Sequence, residues 1–240
     1  MKGIRTIMKK LFKAIRQEKI EEVKLIIEKN HSLVNCVATP PPKKDNGQSP
    51  LQVAVKIGVF EIIDYLMEQN ADVNFMEAEG GAPGLRCPVL HDAIRTVLDS
   101  LCYRKFDVSD KGMEVVEKLL KRGADPNKRA SNGFDALNTA ISHAERILEN
   151  KTYSTSWEKA EQQIVKLFDL LIEYGADFKD WVNRGHFPEP YTMESNKERY
   201  IDEFLAVDGM EDNTARTRAV MQRYCKDRGY TNFGDYVSGD

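Results

Sequence analysis

Cys87 and His91 stand four residues apart, an interval at which two helical side chains could share a zinc ion, and His91 is followed at once by Asp92, an imidazole beside a carboxylate. Each pattern stops short of a site. A zinc centre needs three or four ligands, and no further Cys or His clusters with this pair. Side chains adjacent on a helix point about 100° apart, so Asp92 is badly placed to orient the imidazole as a general base. His31, His143 and His186 have no recurring partners, and the chain shows no phosphate-cradling glycine loop and no nucleophile elbow. The four cysteines, Cys36, Cys87, Cys102 and Cys225, lie far apart without a CxxC pair, which suits free thiols in a reducing compartment better than a disulfide framework. These residue types point away from an enzyme, a metal site or a cofactor.

The elements that carry them repeat. A Leu and an Ala open a helix, a second apolar helix follows, and a Gly or Asn stops it. The phrase reads Leu11-Phe12-Lys13-Ala14-Ile15 running to Asn30, Leu51-Gln52-Val53-Ala54-Val55 running to Asn70, Leu90-His91-Asp92-Ala93-Ile94 running to Gly123, and Leu137-Asn138-Thr139-Ala140-Ile141 running to Gly175. In the second helix of each unit, runs such as Val23-Lys24-Leu25-Ile26-Ile27 and Val115-Val116-Glu117-Lys118-Leu119-Leu120 set apolar side chains three and four apart, one stripe that needs a neighbour to cover it. The stopping residues are of the two types that most readily enter the left-handed conformation ending a helix. Ala-Asp follows the stop at 71–72, 124–125 and 176–177, and Asn74 and Asn127 sit where the chain turns out. Units of this kind bury their apolar faces only against one another, the arrangement of a solenoid.

On these motifs the chain resembles the ankyrin-repeat family. The second unit matches most fully, with Asn46-Gly47-Gln48-Ser49-Pro50-Leu51-Gln52-Val53-Ala54, Gly58, Glu61-Ile62-Ile63-Asp64-Tyr65-Leu66 and Asn70-Ala71-Asp72-Val73-Asn74. The likeness covers roughly residues 10–178. It implies an all-α solenoid of antiparallel helix pairs with projecting loops or short β-hairpins, in repeats at about 10–45, 46–85, 86–131 and 132–178. It also gives His91 the family's Leu-His position, where the imidazole resembles a structural hydrogen-bonder of the turn between repeats. Phe12, Gln52 and Asn138 stand there in the other units, so this polar bridge is expected to be incomplete along the array.

The departures from the pattern are specific. Units one and two run nineteen residues from Leu to stop, whereas units three and four are longer by fourteen and nineteen residues between their paired helices. Segments such as Ile94–Leu101 and Ala144–Leu148 continue the inner helix, so longer helices are expected there, with Thr155 and Glu158 as a capping box opening the last one after a loop at 149–154. Pro and Gly at 35–48 and 75–89 predict projecting loops where family members carry a β-hairpin finger.

A net charge of −3 with 30% charged residues supplies no electrostatic footprint for nucleic acid. No apolar run reaches the roughly 18–20 residues that span a bilayer. Met1–Phe12 reads as a basic, amphipathic leader into the first helix and not as a signal peptide, so a cytoplasmic setting is expected. After Phe178 the character changes. Residues 179–240 are expected to be a helical C-terminal extension, with helices near 195–206 and 213–228, capping the array; Arg216, Arg218, Arg223 and Arg228 would give its last helix a basic face.

The expected function is a non-enzymatic protein–protein interaction module: an adaptor, inhibitor or immunity-type binder whose partner is another protein docked on the fingers and the concave inner-helix face. The alternatives are an effector or enzyme-associated protein active through the C-terminal extension, and a structural spacer or self-assembling protein. Carrying repeat geometry onto this chain, the partner-binding candidates are Lys44, Gln48, Lys56, Glu77, Glu79, Arg86, Arg95, Lys128, Arg129 and Phe134.

Overall fold

The computed structural model describes residues 2–40, 43–78, 85–148 and 157–176. Glu79, Thr155 of the expected capping box, the loop at 149–154 and the whole 179–240 extension lie outside the described residues. Eight α-helices among the described residues form four pairs: α1 (Lys2–Arg16) with α2 (Ile20–Lys29), α3 (Pro50–Ile57) with α4 (Phe60–Glu68), α5 (Val89–Cys102) with α6 (Phe106–Lys121), and α7 (Ala136–Leu148) with α8 (Trp157–Glu173). The odd-numbered helices pack in sequence as an inner layer and the even-numbered ones as an outer layer. One apolar core runs through all four pairs, from Leu11 and Ile15 past Leu51, Ile62 and Leu90 to Phe168 and Leu171. Each pair alone would expose its stripe; stacked, they cover one another.

Local chemistry sets the helix ends. Ser49 Oγ accepts the Gln52 N–H at 3.1 Å and Pro50 follows at the first helical position, a cap worth about 1 kcal/mol. Gly58 then takes φ 74° to end α3. Asp135 and Asn138 cap α7 reciprocally, each carbonyl or carboxylate oxygen accepting the other's backbone N–H at 2.8 and 3.2 Å. Asn70, Gly123 and Gly175 hold the expected left-handed stops at φ 62°, 86° and 90°. Asn30 does not: its φ is −151°, because the chain passes directly into a 3-10 turn at His31–Asn35 and no reversal is needed there.

Lengths follow the sequence spacing. Helices α3 and α4 have 8 and 9 residues, whereas α5 and α6 have 14 and 16, and α7 and α8 have 13 and 17. In the third unit the added residues are therefore added helical turns, and in the fourth α7 and α8 are likewise longer than α3 and α4. Where α5 and α6 cross, Gly112 lets the backbones approach: a Cβ there would lie 3.0 Å from Val97 Cγ2. The described residues of the fingers are loops, with a 3-10 turn at Lys43–Asp45 in the first. Among the described residues the only β-pairing is an isolated antiparallel bridge between Met76 and Pro88.

Candidate docking face

Neighbouring units are stitched by buried polar side chains at equivalent positions. His91, wholly buried, places Nε2 3.0 Å from Lys128 O and Nδ1 3.0 Å from Thr139 Oγ1. A carbonyl can only accept, so Nε2 carries the proton and Nδ1 accepts from the threonine hydroxyl. Burial pushes the imidazole down to about 3, so it stays neutral and structural. Gln52 does the same work one unit earlier, its Nε2 donating to Cys87 O at 2.9 Å and to Asp92 Oδ2 at 2.8 Å. The expected gap in the bridge at Gln52 is thus filled, because a primary amide carries two donors on a side chain long enough to reach the next unit.

A second stitch lies at the helix stops. Asn35 Oδ1 accepts the Asp72 N–H at 2.8 Å, and Asn74 Oδ1 accepts the Asp125 N–H at 2.8 Å. Asn74 and Asn127 also donate through Nδ2 to Gly123 O and Gly175 O at 2.7 and 2.8 Å. Each asparagine therefore satisfies the orphan backbone groups at the next unit's helix end. The signal in the sequence was an Asn four or five residues beyond each of the first three stops; Asn35 was missed because no Ala-Asp precedes it.

The fingers meet edge to edge. Ala78 donates to Gly47 O at 2.9 Å, and Ser131 donates to Arg86 O at 2.9 Å while its Oγ accepts the Arg86 N–H at 3.0 Å. Behind them a charged cluster converges on Asp92, only 4% exposed: Lys56 Nζ is 3.7 Å away and also pairs with Glu77, and Arg95 Nη1 is 3.6 Å away. Burial raises the Asp92 carboxyl to about 6, with Lys56, Gln52 and Arg95 opposing the rise.

The candidate residues divide accordingly. Lys56, Glu77 and Arg95 are brought together in this cluster. Lys128 bonds Asn74 O, Arg86 is half-buried in the finger contact, and Phe134 is half-buried where its N–H meets Asn132 Oδ1. Lys44 and Arg129 are exposed. Gln48 is buried at 5% exposure, its Nε2 donating to Lys44 O at 3.4 Å, so it supports the first finger from beneath and does not face outward. Asp92, set aside as a catalytic partner, is the hub of the cluster.

Three cysteines are described, all free; burial pushes the thiols of Cys36 and Cys87 up to about 12 and 11, which makes them poor nucleophiles. Among the described residues no three His, Cys, Asp or Glu side chains gather as a metal site, and His91 has both ring nitrogens committed. No helix among them is long and apolar enough to cross a membrane.

Residues 46–75 match the family model described as an ankyrin repeat. Over 131 residues, 55% of this chain, the sequence is 26% identical to "Ankyrin repeat and SAM domain-containing protein 6" of Rattus norvegicus, and the match spans 12% of that protein's length. The matched repeat comprises the end of the first finger, α3, α4 and the turn after them, the unit whose stitches to its neighbours are described above.

Proposed function

We propose that this ankyrin-repeat protein acts by holding another protein across its fingers and inner helices, as an adaptor or as an inhibitor that occupies its partner's surface. The repeat family is generally a protein-interaction module and typically non-enzymatic. The observation that supports the docking face is the edge-to-edge joining of the fingers, from Gly47 through Ala78 and from Arg86 to Ser131. Loops bonded to one another lose little conformational freedom on binding, so contact energy is not spent on ordering them. The charged side chains behind this rim supply orientation and partner choice, and a few large side chains supply most of the affinity.

The test is affinity capture from native lysate with the wild-type chain and with Lys128→Glu and Arg129→Glu combined. Capture of a specific, salt-tolerant partner by the wild type and its loss from the doubly reversed chain, with unchanged helical circular dichroism, is the expected result. A partner retained undiminished would remove this face from consideration. Recovery of no partner would count against the adaptor and inhibitor readings together.

A further inference from the structure

The unequal lengths of the second and third units leave a step. Helix α3 ends at Ile57 while α5 continues to Cys102, so the overhanging half of α5 and the start of α6 stand beside the short α3–α4 turn. Between them lies a cleft of about 650 Å³, bounded by Lys56, Ile57 and Phe60 on one side and by Arg95, Tyr103 and Lys105 on the other. It runs from Asp92 at the finger base to the far turn.

Its charges are unevenly committed. On the acidic side, Asp92 is buried and held by Gln52 and Lys56, and Asp99 lies 3.6 Å from His143 Nδ1. On the basic side, Lys56 is paired with Glu77. Arg95 is not saturated: its Nη1 stands 3.6 Å from Asp92, beyond hydrogen-bond length, and its Nε is buried with no acceptor. A guanidinium offers five donors, and this one, half-buried beside Asp92 and Cys87, has donors to spare. Lys105 is exposed and has no ion-pair partner among the described residues. Lys111 adds further positive charge beside the floor, 5.8 Å from the Phe60 ring centroid. Apolar surface flanks these cations: Ile57 and Phe60 on the floor, and Tyr103 at the rim, 75% exposed.

We infer that this cleft receives a partner-protein segment in which an Asp or Glu stands next to a large apolar residue, the carboxylate meeting Arg95 and Lys105 and the apolar side chain packing between Ile57, Phe60 and Tyr103. A planar guanidinium with donors to spare matches a carboxylate bidentately, and tyrosine is among the residue types enriched as binding anchors. The inference rests on the protein-binding reading above and adds the chemistry of the partner.

The experiment measures binding of end-capped twelve-residue peptides to the full chain by fluorescence polarisation and by NMR of the Tyr103 and Lys105 amides. One pool pairs Asp or Glu with Phe, Leu or Trp; a second carries Asn or Gln in place of the acids; a third carries Lys. The acidic pool is expected to bind roughly tenfold or more tightly than the amide pool, as for a desolvated charge pair. Arg95→Gln and Lys105→Glu should each erase most of that preference. Lys105→Glu, on an exposed turn, guards against a loss caused by misfolding. Equal binding of the amide pool, preference for the lysine pool, an unchanged preference in both variants, or no binding by any pool overturns the inference. Any of these leaves the finger reading intact, since that reading is decided by Lys128 and Arg129 in the lysate capture.

Discussion

The second and third units of this array use one scaffold with different stitching and different reach. In unit two, Gln52 bridges forward with an amide and the helices span 8 and 9 residues; in unit three, His91 bridges forward with an imidazole and they span 14 and 16. Each bridging group reaches a finger carbonyl and the second polar residue of the next inner helix, Cys87 O and Asp92 for Gln52 and Lys128 O and Thr139 for His91, although Cys87 lies on the limb of its finger that enters α5 and Lys128 on the limb that leaves α6. In these two units the repeat geometry therefore accepts a donor of either chemistry at this position, whereas unit one, with Phe12, does without one. What it leaves free is helix length at the far end, and the step between units uses that freedom.

The comparison breaks most visibly at His91. His91→Ala removes both bonds and leaves Lys128 O and the Thr139 hydroxyl buried without partners, an expected loss of about 3 kcal/mol in urea-unfolding stability. His91→Gln should lose only about 1 kcal/mol, since Gln52 shows that an amide fits the role. Equal losses for the two variants would mean that the two positions are not equivalent.

Acid separates them further. The folded-state value for His91, about 3, lies below its ordinary 6.5, so the unfolded chain binds more protons between those values and His91's contribution is lost as pH falls through that window. Asp92, raised from 3.8 to about 6, acts oppositely: the folded chain binds more protons between 3.8 and 6, and stability is lost as pH rises through that window. Between pH 4 and 6 the two slopes nearly cancel. His91→Gln removes one of them, so from pH 7 to 4 the wild type should lose on the order of 3 kcal/mol relative to the variant. Parallel pH profiles for the two chains would show that the imidazole is not held neutral.

How much of this was legible differs by feature. Helix pairing, the long third and fourth units, the left-handed stops at Asn70, Gly123 and Gly175 and the cap at Ser49 follow from local residue chemistry, which a sequence displays. The Gln52 bridge and the Asn35 clamp depend on a carbonyl or amide 35 to 37 residues away, and a sequence does not show where those groups arrive. Gln48 looked like a surface contact because its polarity is visible and its burial beneath the first finger is not. Asp92 was judged only against its neighbour His91, while its partners Gln52 and Lys56 come from the preceding unit.

Length itself can be attacked at Gly112, where the long α5 and α6 approach. The short second unit has no glycine at the crossing of α3 and α4. Gly112→Val drives its side chain onto Val97, and overpacking of this kind is expected to cost about 2 kcal/mol. Ile63→Val on α4 removes one buried methyl and should cost about 1 kcal/mol. A loss at Gly112 no greater than that at Ile63 would mean the long pair is loosely packed.

The smallest difference sits at the turn between inner and outer helices. Unit two places Gly58 there at φ 74°, and unit three places Arg104 at φ 56° in the same left-handed region. Nothing lies within 4 Å of where a Gly58 Cβ would be, so the cost of Gly58→Ala is purely one of backbone conformation, about 1 kcal/mol. The reverse change, Arg104→Gly, relieves that conformation and gives up part of the gain to the greater freedom of an unfolded glycine, for a net rise of under about 1 kcal/mol. Opposite signs for the two substitutions in thermal unfolding would establish that both turns have one geometry. A loss at Arg104→Gly would show that in unit three the arginine side chain, and not the left-handed turn, holds the far end of the long helices in place.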